Sequence, residues 1–128
     1  MIISGDIYKD HRGTIRFINE FNMSSVVRMY CIKPNFDVIR AWQGHKLENK
    51  WFFVSKGSFL IKTIQMDSSK KNEYLLSEKK SEVLHIMPGN YNGFKALEKG
   101  SILIVFSDLT IEQSKSDDYR ISIEQLPW

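Results

Sequence analysis

This sequence contains little that would staple, anchor or interrupt a chain. A single cysteine, Cys31, among 128 residues cannot close an internal disulfide, so nothing demands an oxidising compartment. No apolar run approaches the ~20 residues of a membrane-spanning helix. Met1 leads into Ile2, Ile3, Ser4, Gly5 and Asp6 without the basic region of a signal peptide. These absences lead us to expect a cytoplasmic protein without membrane association. Repeats, low-complexity tracts and linkers are also missing, which leaves one domain over residues 1–128. A hydrophobic content of 42% is enough for a single core in a chain of this length.

Neither sign of charge dominates: 18 basic against 15 acidic residues give a net charge of +3. The densest basic clusters, Lys70-Lys71 and Lys79-Lys80, lack the interleaved aromatics of a nucleic-acid-binding face and read as solvated hairpin rims. A nucleic-acid partner is not expected. The small positive excess does suit a compact anionic ligand such as a diphosphate.

What the chain has in quantity is short β-branched and aromatic runs. Residues 14–19, 26–33, 37–42, 50–55, 58–66, 73–77, 82–87 and 101–107 read as strands, separated by turn formers such as Lys56-Gly57 and Met87-Pro88-Gly89-Asn90. With no helical period among them, the pattern predicts an all-β sandwich or barrel. Only the polar stretch from Thr110, a candidate cap, fits a turn or two of helix. Trp128 is costly to leave in water and is expected to pack on the barrel or on a second subunit.

The block from Arg40 to Gly57 carries the candidate site. Alternation puts Gln43 with His45, and Lys50 with Phe52 and Val54; it also puts Arg28 with Tyr30 and Ile32. A lysine whose face-mates are Phe and Val either snorkels at a barrel mouth or is buried, and burial would mark a site. The alternative is a rim lysine, with Trp51 and Phe53 forming the core. His45 lies in a polar stretch, His11 in an exposed turn, and His85 in a strand facing into the barrel or out of it.

Gln43-Gly44-His45, then Gly57, then Pro88-Gly89-Asn90-Tyr91-Asn92-Gly93-Phe94 resemble the two cupin motifs. Their form is similar to that of nucleotide-sugar epimerases and ketoisomerases: the dTDP-4-dehydrorhamnose 3,5-epimerases and the WxcM-like dTDP-sugar 3,4-ketoisomerases. The stretches from Asp10 to Gly13 and from Asp117 to Arg120 belong to the same resemblance. It implies a double-stranded β-helix, the cupin jelly roll, working as a homodimer with the N-terminal segment a candidate for exchange.

Metal-binding cupins place His-x-His, a Glu and a further His where this chain has Gln43, His45, Lys50 and Asn92. Only His45 is a good ligand, and Lys50 adds positive charge where a cation would sit. The resemblance therefore implies neither metal nor other cofactor. In the 3,5-epimerases the base is a His at the position of Gln43, and a carboxamide cannot take that role. The tyrosine that returns the proton there falls near Val105 or Phe106. The 3,4-ketoisomerase pattern Arg-Gly-x-His-Ala-His-Lys is matched by Arg40 to Lys46, which implies His45 as base.

Lys50 would then stabilise an enolate, with Tyr30 as the tyrosine of the preceding strand. Arg40, Lys46 and Arg28 would serve the diphosphate or the sugar, and Gln43 and Asn92 would hydrogen-bond in the pocket. The implied function is isomerisation or epimerisation of a dTDP- or UDP-4-keto-6-deoxyhexose by proton abstraction next to the ketone, in deoxysugar or surface-polysaccharide synthesis. The alternative is a non-catalytic cupin that binds a sugar nucleotide or serves as a partner subunit.

Overall fold

The computed structural model describes residues 1–128. In chain order the strands are β1 (Ile2–Ser4), β2 (Asp6–Asp10), β3 (Gly13–Phe17), β4 (Arg28–Ile32), β5 (Arg40–His45) and β6 (Lys50–Lys56). There follow β7 (Ser58–Gln65), β8 (Lys71–Ser77), β9 (Glu82–Ile86), β10 (Asn90–Ala96) and β11 (Ile102–Ser107). A one-turn helix, α1 (Ile111–Lys115), and the short β12 (Tyr119–Arg120) complete the chain. No helix is long and apolar enough to cross a membrane. The strands form two antiparallel five-stranded sheets, ordered β1-β9-β6-β11-β4 and β12-β5-β10-β7-β8, with β2 and β3 as a separate hairpin. This is the all-β jelly roll expected from the motifs.

The strand period of two explains how the same strands build a core and a site. On β6 the inward row is Lys50, Phe52, Val54; on β11 it is Ser107, Val105, Leu103, and the register pairs them in that order. In the other sheet Asn92, Phe94 and Ala96 of β10 pair with Thr63, Ile61 and Phe59 of β7. Each row is apolar toward one end of the barrel and polar at the other, and every one of these side chains is buried. The apolar ends merge with Leu76, Leu84 and Ile86 into one hydrophobic cluster.

Several boundaries differ from the sequence reading. The expected strand 37–42 begins at Arg40 and runs on through His45, because β10 and β12 supply hydrogen-bonding partners to this polar stretch on both sides. Residues 90–96 read as a turn and motif, yet they are a strand wedged between β5 and β7. There Gly93 has a structural purpose: a Cβ would lie 2.6 Å from Ala41 Cβ and 2.9 Å from the Trp128 ring. Strand β1 is only three residues long and β2 is largely charged, so neither shows an alternation that marks a strand in the sequence. The β2–β3 hairpin is tied down by Arg16, which donates to the carbonyls of Val54 and Ser55 at 2.9 Å and lies over the Phe53 ring.

Other expectations match the fold. Gly57 turns β6 into β7 with a φ of +77°, in the left-handed region that favours glycine. Thr110 caps α1 in a reciprocal capping box with Gln113. Trp128 packs on the barrel, its ring 5.4 Å from that of Trp42. The lysines at 70–71 and 79–80 are exposed.

Two leucines give a direct test of this layering. Leu103 is 0% exposed and Leu75 is 70% exposed. Leu103→Ala is expected to lower the unfolding free energy by about 2–5 kcal/mol, and Leu75→Ala by no more than about 0.5 kcal/mol. Urea titration of both variants measures the difference.

Candidate active site

Two of the strands' polar ends, Lys50 and Asn92, open into a cavity of about 630 Å³, within the range of small-molecule sites. Strand β4 contributes Tyr30, β5 contributes Arg40 and Gln43, β6 contributes Lys50, and β10 contributes Asn92. Five of the sequence-proposed site residues thus share one cavity. Arg120, Ile121 and Ser122 close another side of it.

Lys50 is the unusual member. It is 3% exposed, and none of the ion pairs in the protein includes it. Its Nζ donates to Tyr30 Oη at 3.0 Å and to Gln43 Oε1 at 3.3 Å. An ammonium has three N–H donors, so one remains for whatever enters the cavity that Lys50 lines. A buried cation without a carboxylate is costly alone. The missing negative charge is the strongest chemical statement the cavity makes.

His45 does not line the cavity; it lies behind it, 3% exposed. Its Nδ1 is 2.6 Å from the Asp117 carbonyl oxygen. A carbonyl only accepts, so Nδ1 carries the proton and donates, and in the neutral ring Nε2 holds the free lone pair. Nε2 is buried and has no hydrogen-bond partner. Burial, and next the Lys50 charge, push the His45 pKa below its ordinary value, which keeps the ring neutral.

The remaining predicted residues have other duties. Arg28 donates to Glu48 Oε2 at 2.9 Å and to the Leu109 carbonyl at 3.2 Å, which holds it outside the cavity lining. Lys46 is exposed, with its ammonium 4.5 Å above the Tyr119 ring. Asn92 Nδ2 donates to the Gln43 carbonyl, cross-linking β10 to β5. His85 stacks on Trp51 and bonds Asn49 through Nε2, and burial lowers its pKa.

Sequence reasoning assigned no role to the carboxylates around His45. Asp117 accepts the backbone N–H groups of Lys46, Leu47 and Glu48 at 2.8, 2.9 and 2.8 Å. Burial pushes its carboxyl up, but those three donors together outweigh the effect and hold the pKa below the usual range. Glu48 accepts from Ser107, Ser114 and Arg28. Asp118 accepts from Gln43 Nε2 at 3.1 Å and from Arg120 Nε at 3.0 Å. The signal was present in the Asp117-Asp118-Tyr119-Arg120 stretch, but its partners lie about 70 residues away.

His45, Glu48 and Asp117 stand close enough to suggest a metal centre. Their chemistry does not fit one. Both oxygens of each carboxylate already accept protein donors, His45 Nδ1 is protonated, and Arg28 brings a positive charge into the cluster.

Two measurements follow from these assignments. Elemental analysis of the purified protein is expected to find zinc, iron, manganese and nickel far below one equivalent. The pH dependence of stability follows from the lowered pKa values of His45 and His85. Unfolding releases both rings to their ordinary value of 6.5 and therefore takes up protons below that pH. Stability is fully present above pH 6.5 and falls as the pH drops through the lower folded values. His45→Asn should reduce that slope between pH 7 and 5 in urea titrations, leaving the part due to His85.

The comparisons agree with this architecture. A dTDP-4-dehydrorhamnose 3,5-epimerase from Sulfolobus tokodaii superposes with a TM-score of 0.80 at 25% identity, covering 99% of this chain and 79% of that one. A dTDP sugar isomerase from Desulfovibrio desulfuricans gives 0.83 at 16% identity, over 100% and 88% of the two chains. A 3,4-ketoisomerase from Helicobacter canadensis gives 0.77 at 21% identity, over 98% and 93%. No curated protein matches the chain. The family model described as WxcM-like, C-terminal, matches residues 2–125, nearly the whole of the barrel and its tail, and the chain belongs to that family.

Proposed function

We propose that the protein is a metal-independent isomerase or epimerase of a nucleotide-linked 4-keto-6-deoxyhexose, carried by dTDP or UDP. The observation that carries this reading is Lys50: a buried ammonium with no carboxylate partner, two protein acceptors for its three N–H groups, and a place in the lining of a cavity of sugar-nucleotide scale. Such a group suits a ketone oxygen that gains negative charge as a proton leaves the neighbouring carbon. Family membership and the epimerases and ketoisomerases among the structural neighbours support the same reaction class.

In this mechanism the C–H bond beside the ketone breaks and its electron pair forms the enolate. Lys50 stabilises the enolate oxygen, with Tyr30 Oη beside the ammonium. His45 is the proton acceptor: its Nδ1–H is locked to Asp117 and its Nε2 lone pair is free. Because His45 lies behind the lining and its Nε2 meets no protein donor, the proton reaches it through a bridging water. Passage of the hydroxyl proton on the deprotonated carbon to the enolate oxygen, with return of the abstracted proton to the former ketone carbon, moves the carbonyl and gives ketoisomerisation; return to the same carbon from the other face gives epimerisation. Arg40 and Arg120, at the cavity wall, suit the diphosphate. A cytoplasmic homodimer completes the reading. Val27 and Met29, 59% and 57% exposed beside the free edge of β4, offer an apolar surface to a second copy.

A second reading has its own observation. Gln43 cannot accept a proton as a base, and His45 does not reach the cavity wall. Both favour a cupin that binds a sugar nucleotide without turning it over.

Incubation with dTDP-4-keto-6-deoxyglucose in heavy water, followed by proton NMR, separates the two. The enzyme exchanges a proton beside the ketone or moves the keto group. Lys50→Ala should lower the rate by about 10²–10³-fold, and His45→Asn by about 10²-fold or more. The rate should fall on acidification, with an acid limb below the ordinary histidine pKa of 6.5. A rise in melting temperature with dTDP, without any exchange, would instead support the binding protein.

A further inference from the structure

A hydrogen-bonded chain runs from the exposed tail into the buried end of the barrel, and Gln43 is its central link. Gln43 Nε2 donates to Asp118 Oδ1 at 3.1 Å, and Gln43 Oε1 accepts from Lys50 Nζ at 3.3 Å. A carboxylate only accepts and an ammonium only donates, so the two partners fix the orientation of the amide without ambiguity. A flipped amide would set NH₂ against NH₃⁺ at one end and oxygen against oxygen at the other. Beyond Lys50 the chain reaches Tyr30; beyond Asp118 it reaches Arg120.

Asp118 is itself held by the neighbouring backbone. Tyr119 and Arg120 pair with Gly44 and Gln43 of β5, and Asp117 grips the three N–H groups that follow β5. The Asp118 carboxylate is thereby placed beside Gln43 by the tail's own hydrogen bonds. Its negative charge polarises the amide, which makes Oε1 a stronger acceptor for Lys50.

We propose that Asp118 is a positioning residue: acting through the Gln43 amide, it holds the Lys50 ammonium in the orientation that leaves its third N–H facing the cavity. The catalytic consequence rests on the isomerase reading; the positional one does not. The Asp118 side chain is 33% exposed, so its truncation leaves the core intact.

The test combines kinetics with a readout that needs no substrate. In the exchange assay Asp118→Ala should lower kcat about tenfold or more, as a misplaced catalytic group does, with dTDP affinity nearly unchanged. Asp118→Asn keeps an acceptor and should recover part of the loss. In a Gln43→Ala background Asp118→Ala should have little further effect, because the route to Lys50 is already cut. A purely structural role for the tail, or a direct effect of the Asp118 charge on His45, would persist in that background and overturn the proposal.

Independently, in ¹⁵N-labelled protein the Gln43 side-chain amide protons should shift as Asp118 titrates, and the Lys50 ammonium signal should broaden in Asp118→Ala. If neither resonance responds, the proposal fails whatever the activity. If both respond while the wild-type protein exchanges no substrate proton, the positioning stands and the isomerase reading falls.

Discussion

The site depends on one charge that the barrel buries and leaves without an ionic partner. Moving an ammonium from water into a protein interior costs several kcal/mol even after relaxation. Hydrogen bonds to a charged group return about 1.5–3 kcal/mol each, so the two acceptors on Lys50, Tyr30 and Gln43, offset the cost to within its own size. A carboxylate in the same place would stabilise the fold further and would also quench the site. The barrel instead leaves room for an acceptor from outside. Any ligand oxygen that takes the third N–H completes a coordination the protein leaves open, and more so as its negative charge grows.

A second set of charges at the same end of the barrel is arranged the opposite way. Glu48 is fully buried and receives Arg28, Ser107 and Ser114, while Asp117 receives three backbone donors. Every carboxylate oxygen there has a partner, which is how a buried anion is tolerated. Paired in this way, the cluster is scaffold. It fixes the loop between β5 and β6 and thereby sets where Lys50 enters its strand. It also supplies the carbonyl that orients the His45 ring. The contrast between a satisfied anionic shell and an unsatisfied cation separates framework from site more sharply than proximity does.

How much of this was legible depended on the distance over which each signal acts. Strands with β-branched and aromatic alternation, such as those holding Phe52 and Val54 or Leu103 and Val105, are set by local period and were readable. The strand over Asn90–Ala96 was not, because Asn and Gly have poor strand propensity and the conformation is imposed by neighbours on both sides. The cavity residues Tyr30, Arg40, Gln43, Lys50 and Asn92 followed from alternation and motif resemblance together. Arg28 faced the right way by alternation, but the sequence could not reveal that Glu48 claims it. Asp117 and Asp118 act on residues some 70 positions earlier, and no local pattern encodes such a pairing.

The tail then acquires a meaning that its polar composition hides. Asp117 ties the β5–β6 loop and sets the His45 tautomer, Asp118 orients Gln43, and Arg120 to Ser122 wall the cavity. Trp128 closes over Trp42, and Gly93 is the gap in β10 that lets both rings settle there. One stretch of chain thus adjusts both the neutral imidazole and the charged ammonium, although neither lies within it. In a fold whose barrel serves many chemistries, the barrel supplies a rigid floor of inward side chains. A peripheral strap that reaches their hydrogen-bond partners can alter the site's charges and donors without repacking the core.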